Sequence, residues 1–193
     1  MKLAIVIGST REGRQTPKMA QWIFNTVKLG SDFQPELVDL ADYPMPFFDE
    51  PISPRYNPDR KIKPEVAKWL DKIGSFDAYI FVTPEYNHSV PGVLKNALDY
   101  LTFELNRKPM TVASHGSVAG ARAAMHLKEI LSESRGILIP NSVAIAGASG
   151  LIDDDGNLNE EAKNNPYGPL AALNSALSEL SWYSSVLAKA RDL

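Results

Sequence analysis

The chain of 193 residues contains no cysteine. That one absence excludes disulfides, thiol nucleophiles, cysteine-ligated zinc and iron–sulfur clusters. Its three histidines, His88, His115 and His126, form no H-E-x-x-H pair, so no metal centre is expected. No G-x-S-x-G elbow is present, which disfavours a serine hydrolase. Asp153, Asp155 and Asn157 have calcium-loop spacing. Leu158 stands where the loop's glycine belongs and Asn164 where its Glu belongs, so 153–157 reads as a solvated turn. Apolar runs are short. Leu3–Ile7 is typical and falls far below the ~20 residues of a membrane helix. Met1-Lys2 runs straight into that segment with no leader-like apolar region or cleavage site, and a cytoplasmic location is expected. Positive charge is not in excess. The formal net charge of −3 speaks against a nucleic-acid or anionic-membrane surface.

What is present is an ordinary globular composition, 44% hydrophobic and 22% charged. A chain of this length buries roughly 70% of its unfolded surface, enough for one sizeable core, so residues 1–193 read as a single domain. Aliphatic runs alternate with helical patterns. Strands are expected at Leu3–Ile7, Glu36–Leu40, Ala78–Val82, Met110–Ala113 and within Ile137–Ile145. Helices are expected at Pro17–Leu29, with Thr16 as N-cap, and at Pro64–Gly74, Pro91–Leu101, Ala121–Glu133 and Leu170–Leu187. The proline-rich stretch Ala41–Lys63 reads as a long loop, and Leu151–Asn165 as polar and turn-rich. Trp22, Trp69 and Trp182 are expected against the core or an interface. Such alternation implies right-handed βαβ units. The expected α/β architecture is a three-layer flavodoxin-like fold, a five-stranded parallel sheet of order 2-1-3-4-5. Its ligand crevice lies beyond the carboxyl ends of strands 1, 3 and 4.

Three loops meet at that crevice. The first, Gly8–Thr16, joins a strand to a helix N-terminus, where free amides favour an anion. Ser9, Thr10 and Thr16 add hydroxyls, and Arg11 and Arg14 add charge, which suits a terminal phosphate. The P-loop spacing of Gly8 and Gly13 is followed by Arg14-Gln15 in place of Lys-Ser/Thr, so that motif fails. The competing reading is a hydroxyl-capped turn with two solvated arginines. The second loop, Thr83–Gly92, is stiffened by Pro84 and Pro91 and presents Tyr86 and Asn87, which suits a flat heteroaromatic ring. It reads equally as a turn with a surface tyrosine. The third, Ser114–Gly120, is built of small residues that allow close approach of a ligand or close packing of helix on strand.

Taken together, Gly8-Ser9-Thr10-Arg11, Pro46-Phe47-Phe48-Asp49 and the stretch Pro84-Glu85-Tyr86-Asn87-His88-Ser89-Val90-Pro91-Gly92-Val93-Leu94-Lys95-Asn96-Ala97-Leu98-Asp99 resemble the NADPH-dependent FMN reductase family, with its quinone-, azo- and chromate-reducing members. The resemblance runs from Leu3 and fades after Gly147. It implies bound FMN and NADPH or NADH as co-substrate. Ser9, Arg11, Arg14, Gln15 and Thr16 would hold the phosphate. Pro84, Glu85, Tyr86 and Asn87 would contact the isoalloxazine, and Ser114, His115 and Gly116 would flank its other edge. It also implies a homodimer or homotetramer, a small-molecule electron acceptor and no residue acting as acid or nucleophile. Two positions depart from the family's usual pattern. Serine is common where Arg14 stands, and paired glycines occur near Gly120 where Ala121 follows here. Two other classes remain open: a flavodoxin-like electron carrier and a binding protein that has lost turnover.

Overall fold

A computed structural model describes residues 1–191. The expectation of one domain over 1–193 therefore reaches two residues outside the described ones. Strands β1 (Lys2–Ile7), β2 (Gln34–Asp39), β3 (Ala78–Pro84), β4 (Pro109–Gly116), β5 (Ile137–Leu138) and β6 (Val143–Ala146) form one parallel sheet. Its order is β2-β1-β3-β4-β5, with β6 also pairing with β4. The expected order 2-1-3-4-5 holds. The expected fifth strand is two pieces, because Pro140 has no N–H to donate and pairing resumes only at Val143.

The helices are α1 (Thr16–Gly30), α2 (Pro64–Gly74), α3 (Gly92–Asp99), α4 (Ala121–Ser132), α5 (Ala148–Leu151), α6 (Glu160–Asn164) and α7 (Pro169–Arg191). The short α5 and α6 lie in or beside the stretch read as turns. The turn at Asp153 is as expected: its carboxylate accepts from the backbone N–H groups of Asp155 and Asn157.

Alternation along the strands splits the core in two. Leu3, Ile5, Ile7, Ile80 and Val82 face Met19, Ile23 and Val27 of α1 and Leu173 and Leu180 of α7. Ala4, Val6, Tyr79, Phe81 and Val112 face Trp69 and Ile73 of α2, Leu94 of α3 and Leu127 of α4. Trp22 and Trp69 are core residues, whereas Trp182 is 59% exposed. Register then fixes the crevice. Ile7 pairs with Asp39 and with Val82, Pro84 with His115, and His115 with Ile145, so the strands' carboxyl ends finish side by side.

Candidate active site

The first loop leaves β1 at Gly8, whose N–H donates to the Val82 carbonyl at 2.8 Å. A Cβ there would lie 2.8 Å from that same oxygen and 2.8 Å from Leu94 Cδ2, so glycine is what lets the loop run this close to β3. The loop turns at Gly13, in the left-handed region with φ +67. It enters α1 through Gln15, which takes the cap position without a side-chain cap bond. This corrects the cap expected at Thr16. Thr16 is already helical and fully buried, and its hydroxyl turns away from the helix end to meet His115 Nε2 at 3.0 Å. The backbone N–H groups of Glu12, Gly13, Gln15 and Thr16 have no acceptor among the described residues. Those of Gln15 and Thr16 are free donors of a helix start, and those of Glu12 and Gly13 belong to the turn before it. Gln15 Oε1 is also buried and without a hydrogen-bond partner.

The two arginines have different surroundings. Arg11 is exposed, with its guanidinium 5.0 Å from the centre of the Tyr86 ring and no carboxylate partner among the described residues. Arg14 is turned inward. Its Nη1 donates to Asp39 Oδ1 at 3.0 Å, its Nη2 to Asp39 Oδ2 at 2.6 Å, and Nη1 also donates to the Ser9 carbonyl.

The second loop begins as a continuation of β3. Pro84, expected in the loop, is the last residue of that strand, and the Glu85 N–H donates to the His115 carbonyl at 3.1 Å. Tyr86 and Ser89 exchange backbone hydrogen bonds around Asn87 (φ 48) and His88 (φ 67). Two consecutive positive φ values between paired strands make a primed two-residue turn, and asparagine tolerates that region better than most residues. The turn aims Asn87 and His88 outward and leaves Tyr86 at the crevice, its hydroxyl 2.8 Å from Ser9 Oγ.

The Glu85 side chain leaves the crevice. Its carboxylate accepts from Arg122 Nη1 at 2.8 Å and from the Arg122 N–H at 3.0 Å, so it caps the start of α4. Burial works to raise its pKa. The hydrogen bonds from Arg122 and Ala123, with the Arg122 charge, outweigh that and hold it below the usual glutamate value.

The third loop contributes Ser114, which is buried and donates to the Ala119 carbonyl at 2.8 Å. His115 is 8% exposed, and burial pushes its pKa down to about 4, so it is neutral at pH 7. Gly116 borders a recess of about 230 Å³ together with Gln15, His115, Ser117, Gly147 and Ser149. The loop closes on Gly120 (φ +68), where a Cβ would lie 2.8 Å from the His115 carbonyl oxygen.

Thus Ser9, Arg11, Gln15, Thr16, Pro84, Tyr86, Ser114, His115 and Gly116 converge on one crevice. Arg14 and Glu85 are instead taken up by Asp39 and Arg122. Both partners escaped sequence reasoning, as did Asn96. Its Nδ2 donates to the Pro46 carbonyl and its Oδ1 accepts from the Phe48 N–H, both at 2.8 Å. A pairing signal existed for Asp39 alone, the last residue of a strand beside β1.

Against this geometry stand the comparisons. The family model for NADPH-dependent FMN reductase matches residues 1–150. The chain belongs to the NADPH-dependent FMN reductase family. Its class is therefore oxidoreductase, and FMN and NAD(P)H are the cofactors that go with the family. An NAD(P)H-dependent FMN reductase of Schizosaccharomyces pombe is 38% identical over 129 residues, covering 67% of this chain and 64% of that protein's own length. One from Nectria sp. is 34% identical over 171 residues, covering 84% of this chain and 85% of the relative. Among solved structures, FerB, a flavoenzyme NAD(P)H:(acceptor) oxidoreductase from Paracoccus denitrificans, superposes with a TM-score of 0.71. It covers 97% of each chain at 20% identity, a likeness of fold. In this family member no helix among the described residues is long and apolar enough to cross a membrane.

Proposed function

We propose that this protein is an FMN-dependent NAD(P)H oxidoreductase that passes reducing equivalents to a small acceptor. That acceptor is a compound such as a quinone, an azo compound, a metal oxyanion or a free flavin. We also propose that it acts as a single domain, in the cytoplasm, as a homodimer or homotetramer. The observation that carries the reading is the set of unpaired amides at the start of α1, with Arg11 free beside them and Tyr86 one loop away.

The residues present fit the cofactor. The phosphate would meet the N–H groups of Glu12, Gly13, Gln15 and Thr16, and Arg11 would supply the balancing charge. The buried Gln15 Oε1, which lacks a donor, offers an acceptor to a hydroxyl. Tyr86 would lie against the ring system, Pro84 and Glu85 would offer backbone, and Ser114, His115 and Gly116 would bound the far edge. When bound, FMN would supply the electron-transfer chemistry between the nicotinamide and the acceptor. The chain's part is to bind, orient and exclude water. Neutral His115, held by Thr16, contributes a polar edge without charge.

The test is a visible absorption spectrum of the protein after FMN is added and the excess removed, followed by anaerobic NADPH or NADH. Retained flavin absorption that bleaches on addition is the expected result. A protein that never retains FMN, or a bound flavin that stays oxidised, overturns the proposal.

A further inference from the structure

Arg14 carries a charge at the mouth of the first loop, yet its guanidinium fork is already spent. Both Nη atoms face Asp39, and Nη1 also holds the Ser9 carbonyl. The pair is mostly shielded, with side-chain exposures of 18% and 23%. Asp39 is itself fixed twice more. It ends β2 opposite Ile7, and its Oδ1 accepts from the Ala41 N–H at 2.9 Å. The guanidinium therefore joins three backbone segments: the turn after β1, the end of β2 and the start of the long loop from Leu40. An arginine neutralised by a bidentate carboxylate adds little net attraction for an anion, but it fixes geometry through its rigid fork.

We propose that Arg14 is a positioning residue and Asp39 its anchor: together they set the position of Ser9 and so the shape of the first loop, and Arg14 does not itself grip the FMN phosphate. The proposal rests on the FMN-binding reading given above. It assigns the anion's charge partner to Arg11 alone and gives Asp39, outside the crevice loops, a share in cofactor affinity.

The two roles for Arg14 predict opposite signs at Asp39. If Arg14 contacted the phosphate, Asp39→Asn would free the guanidinium and remove a nearby negative charge, so FMN would bind as well or better. If Arg14 positions the loop, Asp39→Asn weakens FMN binding by about tenfold, the scale of a coupled ion-pair network. Arg14→Ser then weakens it by a similar factor, and the double variant is no worse than either single one. Arg14→Lys keeps the charge but loses the fork, so it fails to rescue under positioning and largely rescues under direct contact.

The experiment titrates FMN and, separately, riboflavin into wild type and these four variants. Amide hydrogen exchange over residues 9–16 is followed in the cofactor-free proteins. The expected result is weaker FMN binding in Asp39→Asn, riboflavin affinity unchanged, and faster exchange in Asp39→Asn and Arg14→Ser to the same extent. An Asp39→Asn protein that binds FMN as tightly as wild type overturns the proposal. So does loss of riboflavin and FMN affinity together, which marks general disruption of the fold. Wild type that binds no FMN fails the functional reading instead, while the exchange data still decide whether Arg14 and Asp39 act as one unit.

Discussion

Ser9 Oγ and Tyr86 Oη, 77 residues apart in the chain, meet at 2.8 Å. Ser9 is fully buried, and the exposed Arg11 lies over the Tyr86 ring at 5.0 Å. One hydrogen bond thus stitches the first loop to the second at the base of the crevice. Tyr86→Phe removes it and keeps the ring. Stability is expected to fall by about 0.5–1.5 kcal/mol in urea denaturation. FMN affinity should change little beside that of Tyr86→Ala, which deletes the ring as well. Equal affinities for the two variants would show that the ring takes no part.

Two glycines with nearly the same backbone angle should respond differently to one methyl group. Gly13 (φ +67) has open space around its Cβ position, so Gly13→Ala is expected to cost about 1 kcal/mol, the strain of the left-handed region alone. Gly120 (φ +68) would place a Cβ within 2.8–2.9 Å of the His115 backbone and Ser114 Cβ. Gly120→Ala is expected to cost about 3 kcal/mol or more. Urea midpoints of the two variants, compared with wild type, check the ranking.

His115 makes stability depend on pH. Its folded pKa of about 4 lies below the ordinary histidine value of 6.5, so the unfolded chain binds the extra proton between those values. The contribution of the neutral, buried ring is fully present above about pH 6.5 and is lost as pH falls toward 4, by roughly 3 kcal/mol in all. His115→Asn should flatten the slope of unfolding free energy against pH in that window. A variant with the wild-type slope would place the titration elsewhere.

Asn96 serves the long loop as a substitute peptide group, donating to Pro46 and accepting from Phe48. Asn96→Ala leaves both backbone groups unpaired at a part-buried site. It is expected to cost about 1–3 kcal/mol and to speed proteolytic cleavage between residues 44 and 50. Unchanged cleavage would mean that the aromatic contact of Phe48 on Tyr100 holds the segment by itself.

Much of this fold could be read from the sequence because its signals are local. Unbroken runs such as Leu3–Ile7 and Ala78–Val82 announce strands covered on both faces, and the alternation with helices leaves few sheet orders. Pro64 and Gly74 bracket α2 where expected. The errors fell where a tertiary contact overrode a local rule. Thr16 is a good cap by type, but the buried His115 ring claims its hydroxyl. A fifth strand is expected within Ile137–Ile145, yet Pro140 divides its pairing into two pieces. The crevice residues were legible as loops and hydroxyls. The destinations of the charged side chains were not, because Arg14 and Glu85 choose partners 25 and 37 residues away.

The broken outer strand matters beyond its own pairing. β5 holds the amino end of β4 through Pro109 and Met110, and β6 holds the carboxyl end from Ala113 to Gly116. Across the gap the segment stays tied to β4: the Ile139 N–H donates to the Met110 carbonyl at 3.0 Å and Thr111 Oγ1 donates to the Asn141 carbonyl. Asn141 also donates to Ser175 Oγ of α7 at 2.7 Å, so the break in pairing is pinned to the last helix as it leads toward Gly147 and Ser149 beside the crevice. The outer edge of the sheet thus holds both ends of β4, and with them the third loop, through one continuous run of backbone and side-chain hydrogen bonds.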